Sequence, residues 1–393
     1  MKFIPQDILQ DLNLRFDSIR RHMDKAGIDA LLLSTAANIY YATGRFFRGY
    51  VYIPLAGSPL WFLIKPDAYD PEDGLVKIRK PELIPSELSR LGYTTPSSIG
   101  LELDDETYTT IQRLKAVFPD SELKNASPVL RNARMVKTQW ELDRMREDGI
   151  HQSEAYRRVT HCYREDMTDV QFQVEIERVL RLEGCLGFVR TNGNLMDINL
   201  GSVVSGDNAD VPGPYDFTMG GAGTDPALPV GADGTTIMPG TTVMVDMNGS
   251  FNGYQTDMTR VWSLGEIPRH ALEAHECSRS ILRALESMGK PGTPVADLYN
   301  KAMEIVEHHN LQPFFMGHRQ QASFIGHGVG IELNEQPVVM AKSKDLLQEN
   351  MTIALEPKFV IPGVGAVGVE NTYVVTPSGL KSLTVFPEEI QEL

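Results

Sequence analysis

Four acidic residues and one histidine in the second half of the chain have the types and spacing of a metal site. Asp246 and Asp257 each lie in an apolar, strand-like run, and the segment between them, Asn248-Gly249-Ser250-Phe251-Asn252-Gly253, is hairpin-turn sequence. The midpoint of the two acids falls in that turn. The reading therefore opposes two carboxylates across a strand pair, with Cβ atoms roughly 5 Å apart. Glu356 and Glu370 repeat the arrangement about Pro362-Gly363. Like charges that close repel unless a cation lies between them, and an unpaired charge in apolar sequence is costly. A single strand acid is ordinarily salt-bridged or half-exposed, and a single histidine in apolar sequence is ordinarily structural. The pairing of four acids overrides both ordinary readings. His327, in Phe324-Ile325-Gly326-His327-Gly328-Val329-Gly330, adds an imidazole beside glycines that admit close backbone approach.

Oxygen-rich coordination with one imidazole suits Mn²⁺, Co²⁺, Fe²⁺ or Zn²⁺ rather than a thiolate-preferring metal. Two such ions roughly 3.5–4 Å apart share a hydroxide and polarise a carbonyl. The expected cofactor is thus two divalent metal ions, Mn²⁺ first, held by Asp246, Asp257, His327, Glu356 and Glu370.

The elements that must position these residues are legible in outline. Residues 12–27 have helical apolar spacing and end at Gly27, a C-cap residue. Strand-like runs follow at Ile28 to Leu33, Tyr50 to Pro54, Leu60 to Ile64 and Ser98 to Leu101, with helical stretches at about 81–91 and 105–118. That alternation reads as a small α/β domain. Thr138-Gln139-Trp140-Glu141 is a capping box opening a helix to about Tyr163, and Thr168-Asp169-Val170-Gln171 opens another that ends near Gly184. Thr293-Pro294 places a cap and a helix-starting proline ahead of a helix to about His309, and a further helix covers roughly 269–288. Short strands with Gly-rich turns fill the remainder. The long irregular stretch from Ser205 to Gly240 is a candidate border of a binding site. The expected fold class is α/β with two domains: a small N-terminal α/β domain over 1–134 and an α+β catalytic domain over 135–393.

At 393 residues two domains are the default. A net charge of -15 argues against a nucleic-acid partner, which selects clustered Lys and Arg. Three dispersed cysteines, Cys162, Cys185 and Cys277, give neither a disulfide framework nor a thiolate zinc site. The N-terminus has no signal-like apolar run and no segment has 18 consecutive apolar residues, so no membrane association and a cytoplasmic location are expected.

The ordered pattern of Asp246 to Asp257 followed by Thr259-Arg260, then Gly326-His327-Gly328-x-Gly330, Leu355-Glu356-Pro357 and Glu370-x-Thr372 resembles the creatinase, prolidase and methionine aminopeptidase superfamily with the pita-bread fold. The match covers roughly residues 138–385. Ile28 to Leu32 and Asn38-Ile39-Tyr40-Tyr41-Ala42-Thr43-Gly44 resemble the creatinase-type N-terminal domain of prolidases and aminopeptidase P. The resemblance implies an Xaa-Pro dipeptidase or aminopeptidase in which a metal-bridging hydroxide attacks a peptide carbonyl. It implies an acid/base role for Glu356 besides ligation, a small peptide or small-molecule substrate, and a homodimer.

The chain departs from that family's pattern at its histidines. The usual Pro-His pair has Gly213 or Val230 in the histidine's place, and Asn334 and Ser323 stand where two further histidines are usual. Asn334 retains a hydrogen-bond donor for an oxyanion but cannot shuttle a proton. His318, Tyr215, Asp216 and Arg260 are further candidates for the rim, and Arg260 joins Glu356 and Asn334 as a candidate catalytic residue. The missing imidazoles keep a second reading open: creatinase- or ectoine-hydrolase-like C–N hydrolysis, or lyase chemistry, on the same fold. A non-catalytic binding module is a third, disfavoured because all five ligand positions are filled.

Overall fold

The computed structural model describes residues 2–70, 74–193, 198–215 and 219–393. The chain splits into two compact units, Met1–Arg134 and Met135–Leu393.

In the first unit α1 (Leu9–Ala26) buries Leu12, Phe16, Ile19 and Met23 at helical spacing. Gly27 ends it at φ 64°, its N–H bonded to the Asp24 and Met23 carbonyls. The chain then forms β1 (Ala30–Leu33), α2 (Ala36–Tyr41), β2 (Arg48–Pro54), β3 (Leu60–Lys65) and β4 (Leu75–Lys77). Next come α3 (Ile84–Arg90), β5 (Ser98–Leu101), α4 (Tyr108–Val117), β6 (Glu122–Asn125) and α5 (Ser127–Met135). Among the described residues these strands form one mixed sheet, ordered β4-β3-β2-β1-β5-β6. All four residues of β1 are buried, as an uninterrupted apolar run requires. Leu32, Tyr52, Phe62, Ile99, Leu114 and Phe118 belong to its core, each such side chain contributing about 1.5–3 kcal/mol. Beside that core Glu102 is fully buried. It accepts from the Ser34 and Thr35 backbone N–H groups (2.6 and 3.0 Å), the Asn38 amide (2.7 Å) and the Thr35 hydroxyl.

The second unit opens with α6 (Gln139–Tyr156), begun by the full Thr138–Glu141 capping box. It stops at Tyr156 rather than near Tyr163. Val159 and Cys162 are buried three residues apart, a spacing met by the 3₁₀ turn Val159–Cys162. The Thr168–Gln171 box begins α7 (Asp169–Glu183), which ends at Gly184 with φ 110°. Strands β7 (Gly201–Ser205), β8 (Thr242–Gly249) and β9 (Thr256–Ser263) follow, then α8 (Arg269–Met288) and α9 (Val295–His308). At α9 the cap position belongs to Pro294, with no side-chain cap. The Thr293 hydroxyl donates instead to the Met288 carbonyl, so the Thr-Pro signal marks the boundary but not its chemistry.

The last strands are β10 (Phe324–Gly328), β11 (Glu335–Met340), β12 (Thr352–Leu355), β13 (Lys358–Ile361), β14 (Gly365–Gly368), β15 (Asn371–Thr376), β16 (Gly379–Ser382) and β17 (Gln391–Glu392). Among the described residues they build a sheet β11-β10-β12-β15-β16, a ribbon β13-β14 and a sheet β17-β9-β8-β7. Helix α8 packs its Ala271, Ala274, Cys277, Ile281 and Leu285 stripe into the core shared with Phe359 and Val367. The three cysteines are free and buried, as expected. No described helix is long and apolar enough to cross a membrane.

The segment after β7 is irregular yet pinned from within. Asn208 donates to the Asp169 carboxylate and the Gly231 carbonyl (3.2 and 3.0 Å) and accepts from the Ala222 N–H (2.9 Å). Asp169, at the start of α7, also accepts from the Gly234 N–H at 2.9 Å. Two buried side chains thereby satisfy backbone groups that the segment cannot pair with a neighbouring strand.

Candidate metal centre

All five expected ligands converge, but the two acid pairs do so differently. Leu355 pairs with Asn371 and Lys358 with Gly368, so Glu356 and Glu370 fall opposite each other at the junction between two ladders. The Asp pair is not directly opposed. Asp246 pairs with Thr259 and Asp257 with Asn248, which makes the two acids diagonal neighbours on one face. The turn is centred one residue beyond the sequence midpoint, because the loop from Ser250 to Gln255 extends further on the β9 side. Diagonal placement keeps both carboxylates on the same face, since strand side chains alternate with period two.

His327 enters from β10, where it pairs with Ala354. Its Nδ1 lies 3.0 Å from the Gly328 carbonyl, which can only accept. Nδ1 therefore carries a hydrogen, and Nε2 is the nitrogen left facing the acids. Nε2 is 3.8 Å from Asp257 and 3.7 Å from Glu356, too far for hydrogen bonds and close enough for the three groups to reach one cation. Ligand atoms of Asp257, His327 and Glu370 lie within 4.8 Å of one another, as do those of Asp246, Glu356 and Glu370.

A residue given no role in the sequence reading sits inside the second group. Lys358 Nζ donates to Asp246 at 2.8 Å, Glu356 at 2.8 Å and Glu370 at 2.9 Å, with its side chain fully buried. The signal was present: a lysine in the apolar run Lys358-Phe359-Val360-Ile361, two residues from Glu356, where the strand period gives both the same face. Burial opposes the ammonium charge, but Asp246, Glu356 and Glu370 outweigh it and hold Lys358 well above the ordinary lysine range. Burial, then the Glu370 and Asp246 charges, push the Asp257 carboxyl well up. Glu370 is pushed up by burial and by Glu356. One Glu370 oxygen is engaged by Lys358 and by the Thr259 hydroxyl (2.7 Å), while the other, Oε1, is buried without a hydrogen-bond partner. The residues thus fit a divalent cation at Asp257, His327 and Glu370. At the second group the cation present is the lysine.

Asp246, Asp257, His327 and Glu356 line a cavity of about 530 Å³, a volume suited to a small-molecule or short-peptide ligand. Leu200, Tyr215, Met219, Val230 and Phe324 supply much of its apolar wall, so the irregular segment does border the cavity. Asn248 also lines it, with Oδ1 buried and unpartnered, a second residue the sequence reading passed over.

Three other candidates have structural partners. Arg260 lies on the opposite face of β9 from Asp257. Its buried guanidinium donates to the carbonyls of Thr259, Glu370, Phe386 and Pro387 and to Asn371. It braces the backbone that carries Glu370. Asn334 lines the cavity, but both ends of its amide are engaged by the Asn192 backbone, each at 2.7 Å. His318 lies against Asp210 (2.9 Å) in a neighbouring cavity bounded by Gly213 and, in common with the larger one, by Tyr215, Met219 and Val230. Ser323 is exposed. Asp216 lies outside the described residues.

Comparison with known proteins agrees with this architecture. Residues 143–377 match the model of metallopeptidase family M24, and residues 15–136 match the creatinase/prolidase N-terminal domain. The Xaa-Pro dipeptidase of Pyrococcus furiosus is 24% identical over 96% of this chain and 99% of its own. That of Lactobacillus delbrueckii subsp. lactis is 27% identical over 75% of this chain and 72% of its own. The crystal structure of an X-Pro aminopeptidase from Thermotoga maritima superposes with a TM-score of 0.78 at 20% identity, covering 95% of this chain and 100% of that one. The prolidase of Pyrococcus horikoshii gives 0.76 at 22% identity, covering 96% and 99%. With a pita-bread domain behind a creatinase-type N-terminal domain, the chain belongs to metallopeptidase family M24 and is a metal-dependent hydrolase.

Proposed function

We propose that the protein is an Xaa-Pro dipeptidase or aminopeptidase whose metal centre is built from Asp246, Asp257, His327, Glu356 and Glu370. The observation that carries this reading is that Asp246, Asp257, His327 and Glu356 line a cavity of about 530 Å³ with an apolar wall, with Glu370 grouped among their ligand atoms. Similarity to Xaa-Pro dipeptidases over nearly the whole chain supports the substrate class. A divalent ion bound there, Mn²⁺ first, supplies Lewis acidity that polarises a carbonyl and acidifies a water.

The chain's own residues do the rest. Lys358 holds one oxygen of Glu356 at 2.8 Å, which fixes the carboxyl plane and turns the other oxygen toward His327. Glu356 is thus the group placed to take a proton from water and return it to the leaving nitrogen. The Leu200, Met219, Val230 and Phe324 wall gives a ring-bearing proline an apolar surface and excludes competing water. Arg260 and Thr259 position Glu370.

One observation favours a second reading. Among the described residues His327 is the only histidine lining the cavity, so imidazole-assisted peptide cleavage lacks its usual groups. C–N hydrolysis of a small non-peptide substrate on the same scaffold has no such requirement. Incubation with Mn²⁺ and a panel of Xaa-Pro dipeptides and longer Xaa-Pro peptides separates the two. Turnover is expected. None across the panel, with metal shown to be bound, would overturn the peptidase reading in favour of the second.

A further inference from the structure

Two groups of ligand atoms share Glu370, and they are not equivalent. Around Asp257, His327 and Glu370 lie an imidazole nitrogen, a carboxylate 3.8 Å from it and an unpartnered buried oxygen on Glu370. Around Asp246, Glu356 and Glu370 all three carboxylates already bind one ammonium at 2.8, 2.8 and 2.9 Å. That is charge-assisted hydrogen-bond distance on every side, from a side chain with no exposed surface. A lysine there donates three hydrogens to three acceptors and has none left over.

We infer that Lys358 is a built-in substitute for one of two metal ions, so that the centre binds a single divalent cation, at Asp257, His327 and Glu370 with Glu356 at its edge. Charge supports the same count. Four carboxylates face one ammonium and one dication, which leaves a single negative charge. A second dication would make the cluster positive and would have to share three carboxylates with an ammonium already on them, a like-charge contact at short range. The lysine also differs from a metal in what it offers a substrate. It neutralises and orients Asp246, Glu356 and Glu370 but coordinates nothing, so an incoming carbonyl or water meets one Lewis acid rather than two. This deepens the proposed function and rests on the five residues being a metal centre.

The test counts ions on the intact protein. Metal analysis and calorimetric titration with Mn²⁺ are expected to give one ion per chain for the native protein, none for Asp257→Ala and two for Lys358→Met. In the native protein the electron paramagnetic resonance of bound Mn²⁺ is expected to be that of an isolated ion. Because that measurement needs no variant, the inference stays exposed even if Lys358→Met does not fold. Two ions in the native protein, an exchange-coupled spectrum, or one ion in a folded Lys358→Met protein would each overturn the role of Lys358 while leaving the metal centre intact. No bound ion at all would overturn the metal centre itself. One ion with no Xaa-Pro turnover would overturn the substrate reading alone.

Discussion

Glu102 and Glu370 are both buried glutamates, 0% and 1% exposed, set in opposite surroundings. Glu102 is ringed by neutral donors: two backbone N–H groups, a hydroxyl and an amide at the junction of β1 and α2. Burial still pushes its carboxyl up, against those hydrogen bonds. Glu370 has one neutral donor, Thr259, and otherwise faces Lys358 and other acids, with one oxygen unpartnered. An acid satisfied by dipoles ties two elements together and asks for no ion. Acids gathered with few neutral donors repel, and the gathering is stable only where cations supply what the dipoles do not.

The largest test of that contrast is Glu356→Gln. Turnover of Xaa-Pro substrates should fall about a thousandfold, the scale of a lost general acid/base, while the thermal midpoint stays close to that of the parent. Comparable loss of both would make Glu356 a scaffold acid like Glu102. Glu102→Ala is the mirror experiment. It should cost about 4 kcal/mol in denaturant unfolding, because several buried donors lose their acceptor, with turnover per folded molecule retained. A variant of unchanged stability would remove Glu102 from the scaffold class.

His275 extends the Glu102 pattern to a base. Its Nε2 lies 2.7 Å from the Glu388 carbonyl and its Nδ1 accepts from the Gly368 N–H at 3.2 Å, an arrangement for neutral imidazole. Burial lowers its pKa from 6.5 to about 4. Between those values the unfolded chain takes up a proton that the folded chain refuses. Stability from this group is therefore complete above pH 6.5 and is lost as pH falls toward 4, by about 3 kcal/mol in all. Unfolding measured across that window should be flatter in His275→Gln, and an unchanged slope would refute the assignment. The smallest effect is expected at Asn334→Ala. With its amide oxygen and one amide hydrogen held by the Asn192 backbone, turnover should drop less than about tenfold, whereas loss of an oxyanion donor costs about a hundredfold or more.

How much of this was legible in the sequence differs by residue. The capping boxes at Thr138 and Thr168 and the Gly27 terminus were readable because each is a local exchange of hydrogen bonds among near neighbours. The Glu356 and Glu370 opposition was readable for the same reason, since a short β13-β14 turn fixes its register. The Asp246 and Asp257 opposition was missed by one ladder step because the longer loop hides where the turn is centred. Arg260 and Asn334 looked chemical in sequence, and their bracing contacts were hidden because the partners, Phe386 and Asn192, lie far along the chain. Lys358 was the converse. Only the meeting of β8, β13 and β15 reveals that it has three carboxylates to answer.

The tripeptide Glu356-Pro357-Lys358 joins β12 to β13, and Ser278 on α8 holds its central carbonyl at 2.5 Å. The helix whose apolar stripe packs the core therefore also fixes where β13 begins, and with it the face from which Lys358 enters the acid cluster.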